Sequence, residues 1–92
     1  MMRSGNTEKE KTSFEPSKII LPRILKALLE NGPLGRTALA LAANTNYVTV
    51  AQHIVWLEAK SYVEFSIEGG KLTVKLTQSG REFALKIASI PY

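Results

Sequence analysis

Ninety-two residues, 45% of them hydrophobic, supply one compact core and too little interior for a second. With no cysteine in the chain, disulfide staples and thiolate-held metals are excluded, and the fold must rest on ordinary apolar burial. A formal net charge of +4 is a mild bias towards an anionic partner, because clustered Lys and Arg displace counterions from phosphate.

Residues 1–13 are polar, rich in Ser, Thr, Lys and Glu, and have no apolar periodicity. They are expected to form a disordered tail ahead of one folded domain over residues 14–92. The tail lacks the apolar stretch of a secretory signal and carries Glu8 and Glu10, so a cytoplasmic protein is expected. The longest apolar run, from Ile19 to Leu29, is broken by Pro22, Arg23 and Lys26 and falls short of the roughly 20 residues that span a bilayer. No membrane partner is expected.

The first helix lies within residues 17–30, where Ile20, Ile24 and Leu28 recur at helical spacing with Leu21, Leu25 and Leu29 beside them. Pro22 either opens this helix in its first turn or kinks a longer one that begins near Ser17. Asn31-Gly32-Pro33 ends it. A second, shorter helix over residues 36–43 draws on the high propensity of Ala and Leu, with Leu39 and Ala43 facing inward. Asn44 supplies the left-handed turn and Asn46 the cap of a third helix over residues 47–60. Val50, Ile54 and Leu57 form the buried stripe of that helix.

After Ser61 the apolar period falls from helical to two. Val63, Phe65 and Ile67 alternate with polar residues, and Leu72, Val74 and Leu76 do the same. With Gly69-Gly70 as a two-residue turn, Glu68 pairs with Lys71, Ile67 with Leu72, Phe65 with Val74, Glu64 with Lys75 and Val63 with Leu76. Apolar then meets apolar and opposite charges meet. Thr77 caps a last helix that buries either Phe83, Ile87 and Ile90 or Ala84 and Ala88 before Pro91 ends it.

The result is an α+β chain, mainly α: a three-helix core, a two-stranded β-hairpin and a C-terminal helix, in the winged helix-turn-helix order. Here a resemblance becomes specific. Thr37-Ala38-Leu39-Ala40, the turn at Asn44, Tyr47-Val48-Thr49-Val50, Leu57-Glu58-Ala59 and Leu76-Thr77-Gln78-Ser79-Gly80 are similar to segments of small bacterial and archaeal transcriptional regulators of the MarR and ArsR type. It covers residues 21–90 and implies a partner, double-stranded DNA, with the third helix in the major groove and the hairpin on the backbone or minor groove. The base-contacting candidates are Asn46, Tyr47, Thr49, Gln52 and His53, with Gln52 matched to the two-atom edge of adenine. Arg36 and Thr37, at the start of the second helix, and Lys71 and Lys75, on the hairpin, are the phosphate candidates. Both lysines also face carboxylates across the strands.

The chain departs from the family where cations are concerned. Leu41 and Ala42 stand where such regulators often carry Arg, and the third helix has no Lys or Arg before Lys60. An alternative partner is therefore a protein docked on an apolar face around Trp56; another is nonspecific, chromatin-type DNA binding. The breadth of the first helix's apolar surface points to a homodimer, with Ile20, Ile24, Leu28, Phe83, Ile87 and Ile90 as interface candidates. No catalytic triad, phosphate-cradling glycine loop or metal-ligand cluster is present in the sequence, and His53 stands alone. Neither enzyme activity nor a cofactor nor a bound metal is expected.

Overall fold

The computed structural model describes residues 14–88; the expected tail over residues 1–13, and Ile90 and Pro91, lie outside the described residues. Helix α1 spans Ile20–Asn31. The Ser17 hydroxyl accepts from the N–H groups of Ile19 and Ile20 at 3.1 and 3.0 Å, and the Ser17 carbonyl accepts from Leu21 N–H. Pro22 is the third residue of α1, where a missing N–H has no intrahelical acceptor to lose, so it opens the helix. At the other end Gly32, with φ 77°, donates its N–H back to the Leu28 carbonyl, which closes the last turn before Pro33.

Helix α2 spans Arg36–Ala42, one residue shorter than the sequence predicts, and α3 spans Tyr47–Ala59. Between them Asn44 adopts φ 57°, the left-handed turn that asparagine tolerates best among residues with a Cβ. Asn46 then caps α3, its Oδ1 accepting from Thr49 N–H at 2.8 Å. Strands β1, Val63–Glu68, and β2, Lys71–Leu76, pair antiparallel in the register read from the sequence, Val63 opposite Leu76 through Glu68 opposite Lys71. Both turn glycines have positive φ, as a type I′ turn requires.

One pairing was not legible in the sequence. Leu34, in the loop before α2, exchanges two backbone hydrogen bonds with Val74, at 3.0 and 2.8 Å. This short third segment pairs with β2 on the side away from β1 and ties the hairpin base to the helices. Helix α4, Gln78–Ala88, begins at a Thr77 cap. The Thr77 hydroxyl accepts from Gly80 N–H at 3.0 Å and donates to the Ser61 carbonyl at 2.7 Å.

The core gathers Ile24, Leu25 and Leu28 of α1, Leu39 of α2, Val50, Ile54 and Leu57 of α3, Val63 and Val74 of the hairpin, and Ala84 of α4. This overturns part of the dimer expectation. Ile24 and Leu28 are buried within the single chain, because α1 packs on α2, α4 and β2, which cover most of its apolar breadth. Ile20, Phe83 and Ile87 are only half-buried at the edge of that core. Among the described residues no helix is long and apolar enough to cross a membrane.

Candidate nucleic-acid interface

Helix α3 turns Val50, Ile54 and Leu57 inward, and the helical period fixes what lies opposite. Val48, Gln52, Val55 and Ala59, at i, i+4, i+7 and i+11, share the outer flank, and all four are exposed. Val48 and Val55 are 64% and 67% exposed. Between Asn46 and Leu57 there is no Asp, Glu, Lys or Arg, so this flank is an uncharged strip with one amide at its centre.

The N-terminal end of the strip meets a crevice lined by Arg36, Thr37, Ala38, Leu41, Tyr47 and Lys71. The structure thus brings three of the four phosphate candidates to one of the base candidates, Tyr47. Arg36 lies 5.3 Å from the centre of the Phe65 ring, a cation–π contact that holds the guanidinium between α2 and the hairpin. Lys75 is placed differently: its Nζ is 3.6 Å from Glu64 Oε2, on the hairpin and away from the crevice lining. Lys71 sits opposite Glu68 in the register, while Glu68 accepts from the Ser66 hydroxyl at 3.3 Å. Asn46 is exposed but its oxygen is engaged as the α3 cap, and Thr49 is half-buried.

His53 does not belong to this face. It is 3% exposed, and both ring nitrogens are used inside the chain. Ser17 N–H donates to Nε2 at 2.9 Å, which fixes Nε2 as the acceptor and leaves Nδ1 to carry the proton it shares with the Thr49 carbonyl at 2.8 Å. Phe14 packs edge-on against the ring at 5.3 Å. The reason is helical phase: His53 is three residues after Val50 and four before Leu57, so it lies beside the buried stripe. The expected base contact by His53 is corrected to a structural one, a histidine that fastens residues 14–17 to α3.

Trp56 is also corrected. It is half-buried, with ring centres 6.5 Å from both Tyr62 and Phe83, which stack on each other at 4.2 Å. Lys60 covers it from outside at 5.5 Å. An apolar face centred on Trp56 is therefore not open, since the residues leaving α3 and those on α4 close over it.

No family model and no curated sequence matches the chain, but solved structures do. A MarR family transcriptional regulator from Silicibacter pomeroyi is 17% identical with a TM-score of 0.68, over 94% of this chain and 60% of that one. The PcaV transcriptional regulator from Streptomyces coelicolor, solved with its natural ligand, is 13% identical with a TM-score of 0.72, over 95% and 66% of the two chains. A protein from Archaeoglobus fulgidus is 26% identical with a TM-score of 0.62, over 88% and 90%. The fold is that of the MarR-type winged helix.

In winged-helix terms, α2 and α3 are the helix-turn-helix and β1 and β2 are the wing. The chain spans about three fifths of the length of the MarR-family structure from Silicibacter pomeroyi. The apolar character that the sequence marks at Leu41 extends onto the hairpin, where sequence reasoning missed it. Leu41 is 80% exposed at the end of α2, and Ile67 and Leu72 face each other, exposed, near the wing tip. The alternation rule marks Ile67 and Leu72 as inward-facing; Leu72 borders the crevice beside Arg36 and Thr37 yet stays half-exposed, and Ile67 stays exposed, so among the described residues this outer half of the hairpin is only partly covered.

Proposed function

We propose that the chain is a DNA-binding transcriptional regulator that lays α3 in the major groove of double-stranded DNA and acts as a cytoplasmic homodimer. The observation that carries the reading is the outer flank of α3, which is open along its length and bordered by Arg36, Thr37 and Lys71. A helix of this girth fits the major groove, cations at its edge meet phosphate, and an amide at its centre meets a base edge. The solved winged-helix neighbours described as transcriptional regulators support the same class.

Gln52 is the reader of bases, with Asn46, Tyr47 and Thr49 near the N-terminal end of the same helix. Arg36, Thr37 and Lys71 hold phosphate, and Lys75 does so only by exchanging its contact with Glu64. The homodimer surface draws on the exposed or half-exposed residues at the ends of α1 and on α4, Ile19, Ile20, Phe83 and Ile87, because Ile24 and Leu28 are inside the chain. Docking of a protein on the same open flank is the second reading, favoured by the exposure of Leu41, Val48 and Val55.

A gel-shift series in increasing salt tests the assignment. Duplex affinity should fall on a log-log plot with a slope of about 0.9 per phosphate contacted, and Gln52→Ala should flatten the preference among duplex sequences. Absence of duplex binding at low salt refutes the reading, and equal affinity for unrelated duplexes replaces it with nonspecific, chromatin-type binding.

A further inference from the structure

The composition of the α3 flank states what kind of base pair it suits. In the major groove the thymine C5-methyl is the one apolar group of any size that a base pair presents; around it lie donors and acceptors, and cytosine offers only a bare C5–H at the same position. A valine pressed against a cytosine amine or a guanine carbonyl would strip that atom of water and give nothing back, which is unfavourable. Against a thymine methyl it removes apolar surface from water on both sides.

Resting on the major-groove reading above, we propose that Val48 and Val55 are specificity-determining residues that recognise thymine methyl groups, one on each side of an adenine read by Gln52. The spacing suits it. Seven residues at ~1.5 Å each put the two valines about 10 Å apart along the axis, roughly three base-pair steps of ~3.4 Å, with Gln52 between them on the same flank. Each half-site then holds A·T pairs at three positions within about four base pairs.

Two features favour a nucleic-acid occupant of this strip over a protein. The Gln52 amide at its centre offers both a donor and an acceptor, which a dry apolar interface would bury unpaired and which the adenine edge satisfies. The crevice at the end of the strip carries Arg36, Thr37 and Lys71, a cationic border of the kind that a groove flanked by phosphate demands.

The test uses the full chain and a fluorescent duplex recovered by selection from random DNA. Each thymine of the half-site is replaced in turn by deoxyuridine, which removes the methyl and leaves every hydrogen-bonding group in place, and affinity is read by anisotropy. Two positions should each weaken binding about fourfold, the equivalent of withdrawing one methyl-sized group from the contact at about 0.8 kcal/mol. In Val55→Ala one of these two differences should vanish, and in Val48→Ala the other. Both side chains are exposed and alanine is a strong helix former, so far-UV circular dichroism should match the parent. A selected duplex that is bound with preference yet indifferent to deoxyuridine at every position overturns this inference and leaves the DNA-binding reading standing. Failure of the selection to enrich any duplex overturns both, and Val48→Ala or Val55→Ala abolishing capture of a protein while deoxyuridine has no effect assigns the strip to protein docking.

Discussion

Gly80→Ala sets two physical effects of opposite sign against each other. Gly80 is the third residue of α4, and helix propensity alone assigns the change a gain of about 1 kcal/mol. The packing says otherwise. A Cβ at Gly80 would overlap the Tyr62 carbonyl oxygen and lie 2.7 Å from its carbon and 3.1 Å from its Cα. These are backbone atoms that no side-chain rotation can clear. The same carbonyl accepts from Thr77 N–H at 3.0 Å, and Gly80 N–H donates to the Thr77 hydroxyl. Making room by moving α4 outward therefore breaks the Thr77 cap, at about 1 kcal/mol, and lengthens the Thr77–Tyr62 bond, at about another. Residual overlap adds about 1–3 kcal/mol. Set against the propensity gain, the net loss is about 2–4 kcal/mol, a large fraction of the stability of a domain this size. Urea denaturation should show a lower midpoint with an unchanged slope, and melting should fall by at least ~8 °C. The exposed neighbour Ser79→Ala should change stability by less than ~0.5 kcal/mol. A Gly80→Ala protein as stable as the parent would refute the close approach of α4 to the hairpin entrance.

Leu28→Ala should destabilise the chain by about 2–5 kcal/mol, and by the same amount at any protein concentration, because Leu28 is 3% exposed within one chain; a concentration-dependent loss in urea melts would return it to a subunit interface. His53→Leu should lower stability by about 1–3 kcal/mol through the orphaned Ser17 N–H and hasten amide exchange at Ser17, while duplex affinity changes less than about twofold, or ~0.4 kcal/mol. Loss of DNA binding at unchanged stability would restore His53 as a base reader. Ile19→Glu, at a residue 65% exposed, should leave the urea midpoint of a dilute sample within ~0.5 kcal/mol of the parent and shift sedimentation from dimer to monomer; a persisting dimer would move the interface elsewhere.

What the sequence revealed was local, and what it hid was not. The hairpin register was legible because turn, alternation and cross-strand charge all name the same pairing, and Asn44 and Asn46 because their work is done within a few residues of themselves. The Leu34–Val74 pairing joins segments forty residues apart in sequence with no side-chain signature, so no periodicity reports it. Ile24 and Leu28 could be seen to be apolar, but whether α4 or a second chain covers them depends on how the helices cross. His53 carried a usable signal in its phase beside Val50 and Leu57. The partner that makes its burial tolerable, Ser17 N–H, is 36 residues away and could not be named in advance.

The Leu34–Val74 clasp also governs how the wing moves. It grips β2 at mid-strand, so the hairpin behaves as a cantilever: clamped from Val63 to Phe65 and Val74 to Leu76, and overhanging only through Ser66–Thr73, Ile67–Leu72 and Glu68–Lys71. Bending should concentrate at the root of that overhang, because the clasp lies two residues before α2 begins and holds the strand there by backbone bonds. The tip is thus free to trace the contour of whatever it touches while the hairpin root stays tied to the start of α2 by backbone.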